Sequence, residues 1–526
     1  MSSSLDRPSP LDRRSFVKWV GAAGSGALLV PGWGRTAEGA VFRHTRFADD
    51  PFTLGVASGD PAADGFVIWT RLAPKPLEGG GMPASLVEVA WEVAEDEAFN
   101  KVVQKGVAIA TPQLGHSVHV EVEGLKPDRW YWYRFKAGDA LSPAGRSRTF
   151  PEASVVPDRL RFAFVSCQHY ETGYFTAYQH MLKDDLDAVV HLGDYFYEYA
   201  AANNRPRRHI GGEIESLEDY RNRHALYKTD PDLQAMHAAC PWLVTWDDHE
   251  FDNNYAAGIS EQSGIDPQLF LTRRAAAYQA YYEHMPLRRS AVPRGPEMQL
   301  YRSVPFGRLA NFFVLDTRQY RSDQPNGDGL KELNDASADP RGTLLGAKQR
   351  GWLTSGLIQS ETTWNVLAQQ VMMALVDRKA GVEKRYSMDQ WPGYDNERQG
   401  LADFLHQRRV PNPIVLTGDI HKNYANELKV GYDDPDSATV GTEFVGTSIS
   451  SGGDGSVLPR GGQELLDENP FVKFYNDERG YVRCDVTPDE WRTDYQVLEY
   501  VTKPDSPATT RASFVVENGR PGPQPV

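Results

Sequence analysis

The chain has 526 residues, 40% hydrophobic and 24% charged, with 3 cysteines and a formal net charge of -15. That length suits roughly two or three domains with a substantial core, and the composition excludes wholesale disorder and a disulfide scaffold. The absence of a long charge-free apolar run excludes a multi-span membrane protein, and the acidic balance argues against non-specific nucleic-acid binding, which needs clustered Lys and Arg.

The N-terminus reads as an address. Residues 12–18 are Asp-Arg-Arg-Ser-Phe-Val-Lys, Trp19 to Gly34 is uncharged, and small residues lead to Ala40. This is the layout of a signal peptide. Arg13-Arg14 with Phe16 and Lys18 resembles a twin-arginine export signal. Residues 1–40 are therefore expected to be a signal peptide read by the twin-arginine translocation machinery. The mature protein is expected to be periplasmic or secreted, without a transmembrane anchor. Cys167, Cys240 and Cys484 are an odd number, so at least one thiol is unpaired; Cys240 and Cys484 read as buried thiols.

Residues 48–152 read as an all-β domain. Val87, Val89, Trp91 and Val93 alternate along one face, and residues 117–122 alternate again. The run Leu125-Lys126-Pro127-Asp128-Arg129-Trp130-Tyr131 resembles the tyrosine corner of immunoglobulin and fibronectin type III sandwiches. From 158 to 503 the pattern changes to alternating strand and helix. Strands are expected at 160–166, 188–192, 242–246, 309–315, 364–368 and 413–417, with helices at 175–183, 269–285 and 347–359. Residues 504–526, ending Pro-Gly-Pro-Gln-Pro-Val, read as a flexible tail.

The chemistry gathers at the ends of these strands. Cys167-Gln168-His169 follows the first and Gly193-Asp194 the second. Asp247-Asp248-His249-Glu250, leading to Asn253-Asn254, follows the third, and Gly418-Asp419-Ile420-His421 follows the last. In α/β sheets, ligands collect beyond the carboxyl ends of strands, so these clusters are expected to converge. Cys167, Gly193-Asp194-x-x-Tyr197, Asp248-His249-Glu250 and Gly418-Asp419-x-His421 resemble the calcineurin-like metallophosphoesterase superfamily. Asp248 stands where that superfamily usually has Asn, and Asp419 where it usually has His. The cysteine, the Trp246-Asp247-Asp248-His249-Glu250 run and Leu315-Asp316-Thr317-Arg318-Gln319-Tyr320-Arg321 are similar to the PhoD-like alkaline phosphatase/phosphodiesterase family. The resemblance implies an α/β, metallophosphoesterase-type layered sandwich, with helices packed on two mixed β-sheets, preceded by a small immunoglobulin- or fibronectin-like β domain.

The donor types then point to particular metals. Cys167, Asp194 and Tyr197 are three potential anions which, with His421, suit a trivalent ion better than Zn²⁺, and Fe³⁺ is the expectation. Asp194 can bridge to an all-oxygen set of Asp248 and Asp419 with an amide oxygen from Asn253 or Asn254, which points to Ca²⁺ or Mg²⁺. The resemblance implies Ca²⁺, one ion or two. Gln369 or Gln370 stands where the superfamily often places a further His ligand. His249 is expected to donate to a phosphoryl oxygen or to the leaving oxygen, with His169 a weaker candidate. The expected substrate is a small phosphate ester, mono- or diester, cleaved by metal-activated hydroxide. Residues 386–394 read as a loop rather than a lid. The resemblance leaves a phosphodiesterase or phospholipase D-like enzyme of the same family as the alternative; a non-catalytic envelope binding protein and a metal-dependent redox protein are the remote ones.

Overall fold

The computed structural model describes residues 46–526; the expected signal peptide lies outside the described residues. Two mixed sheets pack face to face. The larger has ten strands, in the order Arg520–Pro525, Ala508–Glu517, Glu490–Leu498, Gly480–Val486, Leu160–Val165, Ala188–His191, Trp242–Val244, Val56–Ala62, Gly65–Arg71 and Ser117–Val122. The smaller has seven: Arg302–Phe306, Ala310–Val314, Trp364–Ala368, Pro413–Thr417, Thr439–Val445, Asn423–Lys429 and Val472–Asn476. Phe162, Phe164, Phe312, Val366, Leu416, Phe444 and Trp491 fill the layer between them.

Helices cover both outer faces. Leu217–Lys228, Pro231–Ala239 and Pro267–His284 share a core with the outward side chains of the larger sheet, such as Val165, Val189 and Val244. Gly346–Gln359 and Asp395–Arg408 do the same for the smaller sheet through Leu353, Leu401 and Leu405. Burial on two faces explains why the central strands are near-continuous apolar runs. This is the layered α/β sandwich that the motif resemblance implies. Among the described residues no helix is long and apolar enough to cross a membrane.

Parallel pairing positions the site. Leu160–Val165, Ala188–His191 and Trp242–Val244 are mutually parallel neighbours. So are Ala310–Val314, Trp364–Ala368 and Pro413–Thr417. Their carboxyl ends therefore lie on one edge of each sheet. The expected strands at 364–368 and 413–417 form as read, and the others end one or two residues earlier. The chain leaves the ladder where Ser166, Leu192, Thr245 and Leu315 begin the site loops.

Two expectations are corrected. Residues 48–152 do form a β-sandwich, and Tyr131 makes its corner: Lys126 N donates to the phenol oxygen at 3.1 Å. But only one of its sheets, built on Val87–Ala94, Val102–Ala110 and Trp130–Ala137, is its own. The other consists of Val56–Ala62, Gly65–Arg71 and Ser117–Val122, which extend the ten-stranded sheet through a parallel pairing of Gly59 with Trp242. Residues 504–526 are not a flexible tail. Ala508–Glu517 and Arg520–Pro525 are the last two strands of that sheet, with Phe514 and Val516 buried. The prolines are tolerated because the final strand is an edge, whose outer N–H groups need no ladder partner.

Candidate metal centre

The site loops begin with backbone that only a few residue types adopt. Cys167, Asp194, Asn254, Asp419 and His421 all have positive φ, between 48° and 62°. For non-glycine residues this costs about 1–2 kcal/mol each, and such strain clusters where the surrounding structure overrides local preference. Gly193, at φ 110°, has no alternative, because an added Cβ would strike the backbone of Asp247.

Cys167, Asp194 and His421 offer ligand atoms all within 4.8 Å of one another. Tyr197 completes the group: its hydroxyl donates to Asp194 Oδ2 at 2.9 Å and lies 3.0 Å from His421 Nε2. Ser451 Oγ donates to the same phenol oxygen at 2.8 Å. Asp194 also belongs to a second group with Asp248 and His249, and a third joins Asp247, Asp248 and Asp419. A single carboxylate thus links a sulfur-, phenol- and imidazole-bearing set to a carboxylate set. The loops are held in place by Glu250, whose carboxylate accepts from Asp194 N (3.0 Å), Tyr195 N (2.6 Å) and Asp247 N (2.9 Å).

The protein's own groups leave this cluster short of positive charge. Asp194 Oδ1, Asp247 Oδ2 and Asp248 Oδ1 are buried and, among the described residues, have no hydrogen-bond partner. Burial, reinforced by the neighbouring carboxylates, pushes the Cys167 thiol and Tyr197 phenol up. Burial raises Asp419 to about 7 and, with Asp194 beside it, Glu250 to about 8. Orphaned buried carboxylate oxygens converging beside raised acids are the environment that a bound cation relieves. The donor types fit metal ions, softer donors on the Cys167 side and oxygen on the Asp248 side.

Among the amides, Asn254 stays beside the carboxylates: its N donates to Asp248 Oδ2 at 2.7 Å, and its Nδ2 to Asp328 Oδ2 at 2.9 Å. The Asn253 amide oxygen instead accepts from the Tyr199 hydroxyl at 3.2 Å. Neither glutamine faces the cluster. Gln370 bonds to Thr317, Thr245 and Leu315, and Gln369 to Val371, Thr417 and Trp391, so both tie strand ends together. His169 lies against the Tyr197 ring, with centroids 4.3 Å apart. Cys240 and Cys484 are buried free thiols away from the cluster.

Several site residues carry no assignment from the sequence. Arg318 is fully buried among four carboxylates. Its Nε donates to Asp247, its Nη1 to Asp389 at 2.9 Å and its Nη2 to Asp419 at 3.0 Å, while Asp248 Oδ1 lies 3.6 Å away. The only signal was its run, which resembles the family's but names no role. Asp389 and Gln390 come from residues 386–394, which form neither a lid nor a free loop. This segment is a buried wall, with Gln390 Nε2 donating to Asp419 Oδ2 at 2.9 Å. Glu198, one position beyond Tyr197, holds His249: its Oε2 lies 2.8 Å from His249 Nδ1. The Glu198, Asp248 and Asp194 charges overcome the effect of burial and raise the imidazole well above its ordinary range.

Comparison with known proteins places this geometry. The sequence profile of the PhoD-like phosphatase family matches residues 162–495, and that of the PhoD-like phosphatase N-terminal domain matches residues 36–151. The chain is 50% identical over 516 residues to alkaline phosphatase D of Bacillus subtilis (strain 168), covering 97% of this chain and 88% of that protein. A solved structure of PhoD superimposes with a TM-score of 0.90 at 52% identity, covering 92% of this chain and 93% of that one. The chain belongs to the PhoD-like phosphatase family.

Proposed function

We propose that this chain, a phosphoric ester hydrolase by family, works outside the inner membrane as an alkaline phosphatase D-like enzyme with Fe³⁺ and Ca²⁺ at its centre. Cys167, Asp194, Tyr197 and His421 would hold the iron. Asp194, Asp248 and Asp419, with Asn254, would hold calcium. The observation that carries this reading is the Asp194 carboxylate, which belongs to the thiol- and imidazole-bearing group and to a carboxylate-bearing group at once. When bound, such ions supply Lewis-acid polarisation of phosphoryl oxygens and a nucleophile available near neutral pH.

The chain's own residues do the rest. His249, fixed through Nδ1 by Glu198, presents its other ring nitrogen as a donor to a phosphoryl or leaving oxygen. Arg318 is tied to Asp247, Asp389 and Asp419 and orients them, and Glu250 sets the two loops that carry Asp194 and Asp247. Burial of Cys167, Asp194 and Tyr197 excludes bulk water from the softer half of the centre. The Arg13-Arg14 signal supports export by the twin-arginine route.

The test is metal analysis and kinetics on protein exported natively. Iron and calcium are expected together, with a visible absorption band that Tyr197→Phe abolishes or shifts. Asp194→Asn is expected to lose both metals and turnover of p-nitrophenyl phosphate and bis-p-nitrophenyl phosphate. A fully active, metal-replete Asp194→Asn variant refutes the shared-carboxylate reading. The ratio of the two wild-type rates separates a phosphomonoesterase from a phosphodiesterase, and cytoplasmic retention of an Arg13→Lys/Arg14→Lys variant tests the export route.

A further inference from the structure

The segment that follows Tyr197 carries charge that the centre does not use. Residues 203–208 read Asn-Asn-Arg-Pro-Arg-Arg. The loop is closed at its base by one buried carboxylate: Ala202 N and His209 N both donate to Glu171 Oε1 at 2.9 Å. Arg207 is structural, donating to Tyr170 O at 2.9 Å and to Gly173 O and Asp230 Oδ2 at 2.6 Å. Pro206 fixes one backbone dihedral at the tip. Arg205 and Arg208 are exposed, and among the described residues neither makes a hydrogen bond or an ion pair.

This loop stands on the rim of the centre. His209 stacks on His169 with centroids 5.1 Å apart and planes 13° apart, and His169 in turn lies 4.3 Å from the Tyr197 ring. His209 Nδ1 lies 3.1 Å from Tyr199 O. Arg205 lies near enough to His169 for its charge to act on that ring. On a chain of net charge -15, two unneutralised guanidinium groups on an anchored loop are a local concentration of positive charge, which attracts anions. Guanidinium groups also match phosphate oxygens in pairs.

We propose that Arg205 and Arg208 form a second anion subsite, which takes a phosphate other than the one being cleaved. The preferred substrates are then phosphodiesters that carry a further phosphate, an inference that rests on the ester-hydrolase reading of the centre. Because the two arginines are exposed, their attraction is screened by salt over a Debye length of ~10 Å at 0.1 M.

The experiment is steady-state kinetics of the exported, metal-loaded protein on 4-nitrophenyl thymidine 5′-phosphate with and without a 3′-phosphate. Wild type is expected to favour the 3′-phosphorylated probe by roughly tenfold in kcat/KM at low salt, chiefly through KM, and to lose most of that advantage in 0.5 M NaCl. Arg205→Glu/Arg208→Glu is expected to bring the ratio of the two probes close to one, with Arg205→Gln/Arg208→Gln between it and wild type. An unchanged ratio in both double variants, or a preference indifferent to salt, overturns the proposal. The same pair of probes built on propane-1,3-diol separates phosphate recognition from nucleoside recognition. A preference confined to the nucleoside pair also overturns it. If wild type turns over none of these probes and no p-nitrophenyl phosphate, the hydrolase reading falls and takes the subsite with it.

Discussion

Glu198 Oε2 lies 2.8 Å from His249 Nδ1, and Glu198 Oε1 accepts from Asn253 N at 3.0 Å. One buried carboxylate therefore sets both the orientation of the imidazole and the course of the loop behind it. With Nδ1 engaged, the remaining nitrogen is the one available to substrate. Glu198→Gln is expected to lower kcat by ~10–100-fold with a smaller change in KM, as losses of orienting partners do. Because Glu198 raises the His249 pKa, the donor form persists to higher pH in wild type and is lost as pH rises through that pKa. The variant's alkaline limb should move to lower pH. A kcat–pH profile of unchanged position would show that Glu198 only supports the loop.

Arg318 is the fixed cation of the carboxylate group. Replacing it with Met strands Asp247, Asp389 and Asp419, and breaking a buried pair by removing one partner costs about 3–5 kcal/mol. The deficit should grow with pH. Burial already raises Asp419 to about 7, so the folded state holds its proton more tightly than the unfolded chain does. Ionising the remaining acids without the guanidinium is harder still. Thermal melts of chelator-treated Arg318→Met and wild type between pH 5 and 9 measure this directly.

Lys228 is buried and, among the described residues, has no carboxylate partner. Its Nζ lies 3.4 Å from His237 Nε2 and 4.5 Å from the centre of the Trp69 ring. Burial pushes its pKa down to about 7. The unfolded chain binds this proton more tightly than the folded one, so the stability tied to this group is full above ~10.4 and declines as pH falls towards 7. Wild type should therefore gain melting temperature from pH 7 to pH 10. Lys228→Met should flatten that rise and be the more stable protein at pH 7. Parallel slopes for the two proteins would refute this.

Truncation after Pro507 is expected to destabilise the core. Phe514 and Val516 pack against Trp491 and Tyr495 between the two sheets. Burying two such side chains contributes about 3–6 kcal/mol. Gly522 N also donates to Thr442 Oγ1 at 2.9 Å, tying the last strand of one sheet to the other. Denaturant unfolding of the truncated chain should show a lower midpoint; an unchanged midpoint would make this hairpin an accessory.

Much of the candidate centre was legible because the donor types that metal ions need stand directly after strands. Cys167, Asp194, Asp248, Asp419 and His421 could each be read from a strand end, and Tyr197 from its spacing to Asp194. Arg318, Asp389 and Glu198 could not. Each is defined by what it touches across the fold: Arg318 and Asp389 are 71 positions apart in the chain, and Glu198 and His249 are 51 apart. Nothing in the local pattern of residues 386–394 says that they form a wall rather than a loop. The final hairpin was hidden by its prolines, since an edge strand and a loose tail share that composition until the neighbouring strand is known.

By itself, the sequence determined the period of each central strand, the donor types at the strand ends and the family resemblance, because these depend on residue identity and short-range spacing. Only the tertiary structure decided the rest. Parallel pairing brought distant strand ends to one edge, two sheets shared one core, and Asp194 came to stand in two candidate ligand groups. Those outcomes depend on long-range packing and on burial, which sets the charge balance of the centre and is a property of the folded chain as a whole.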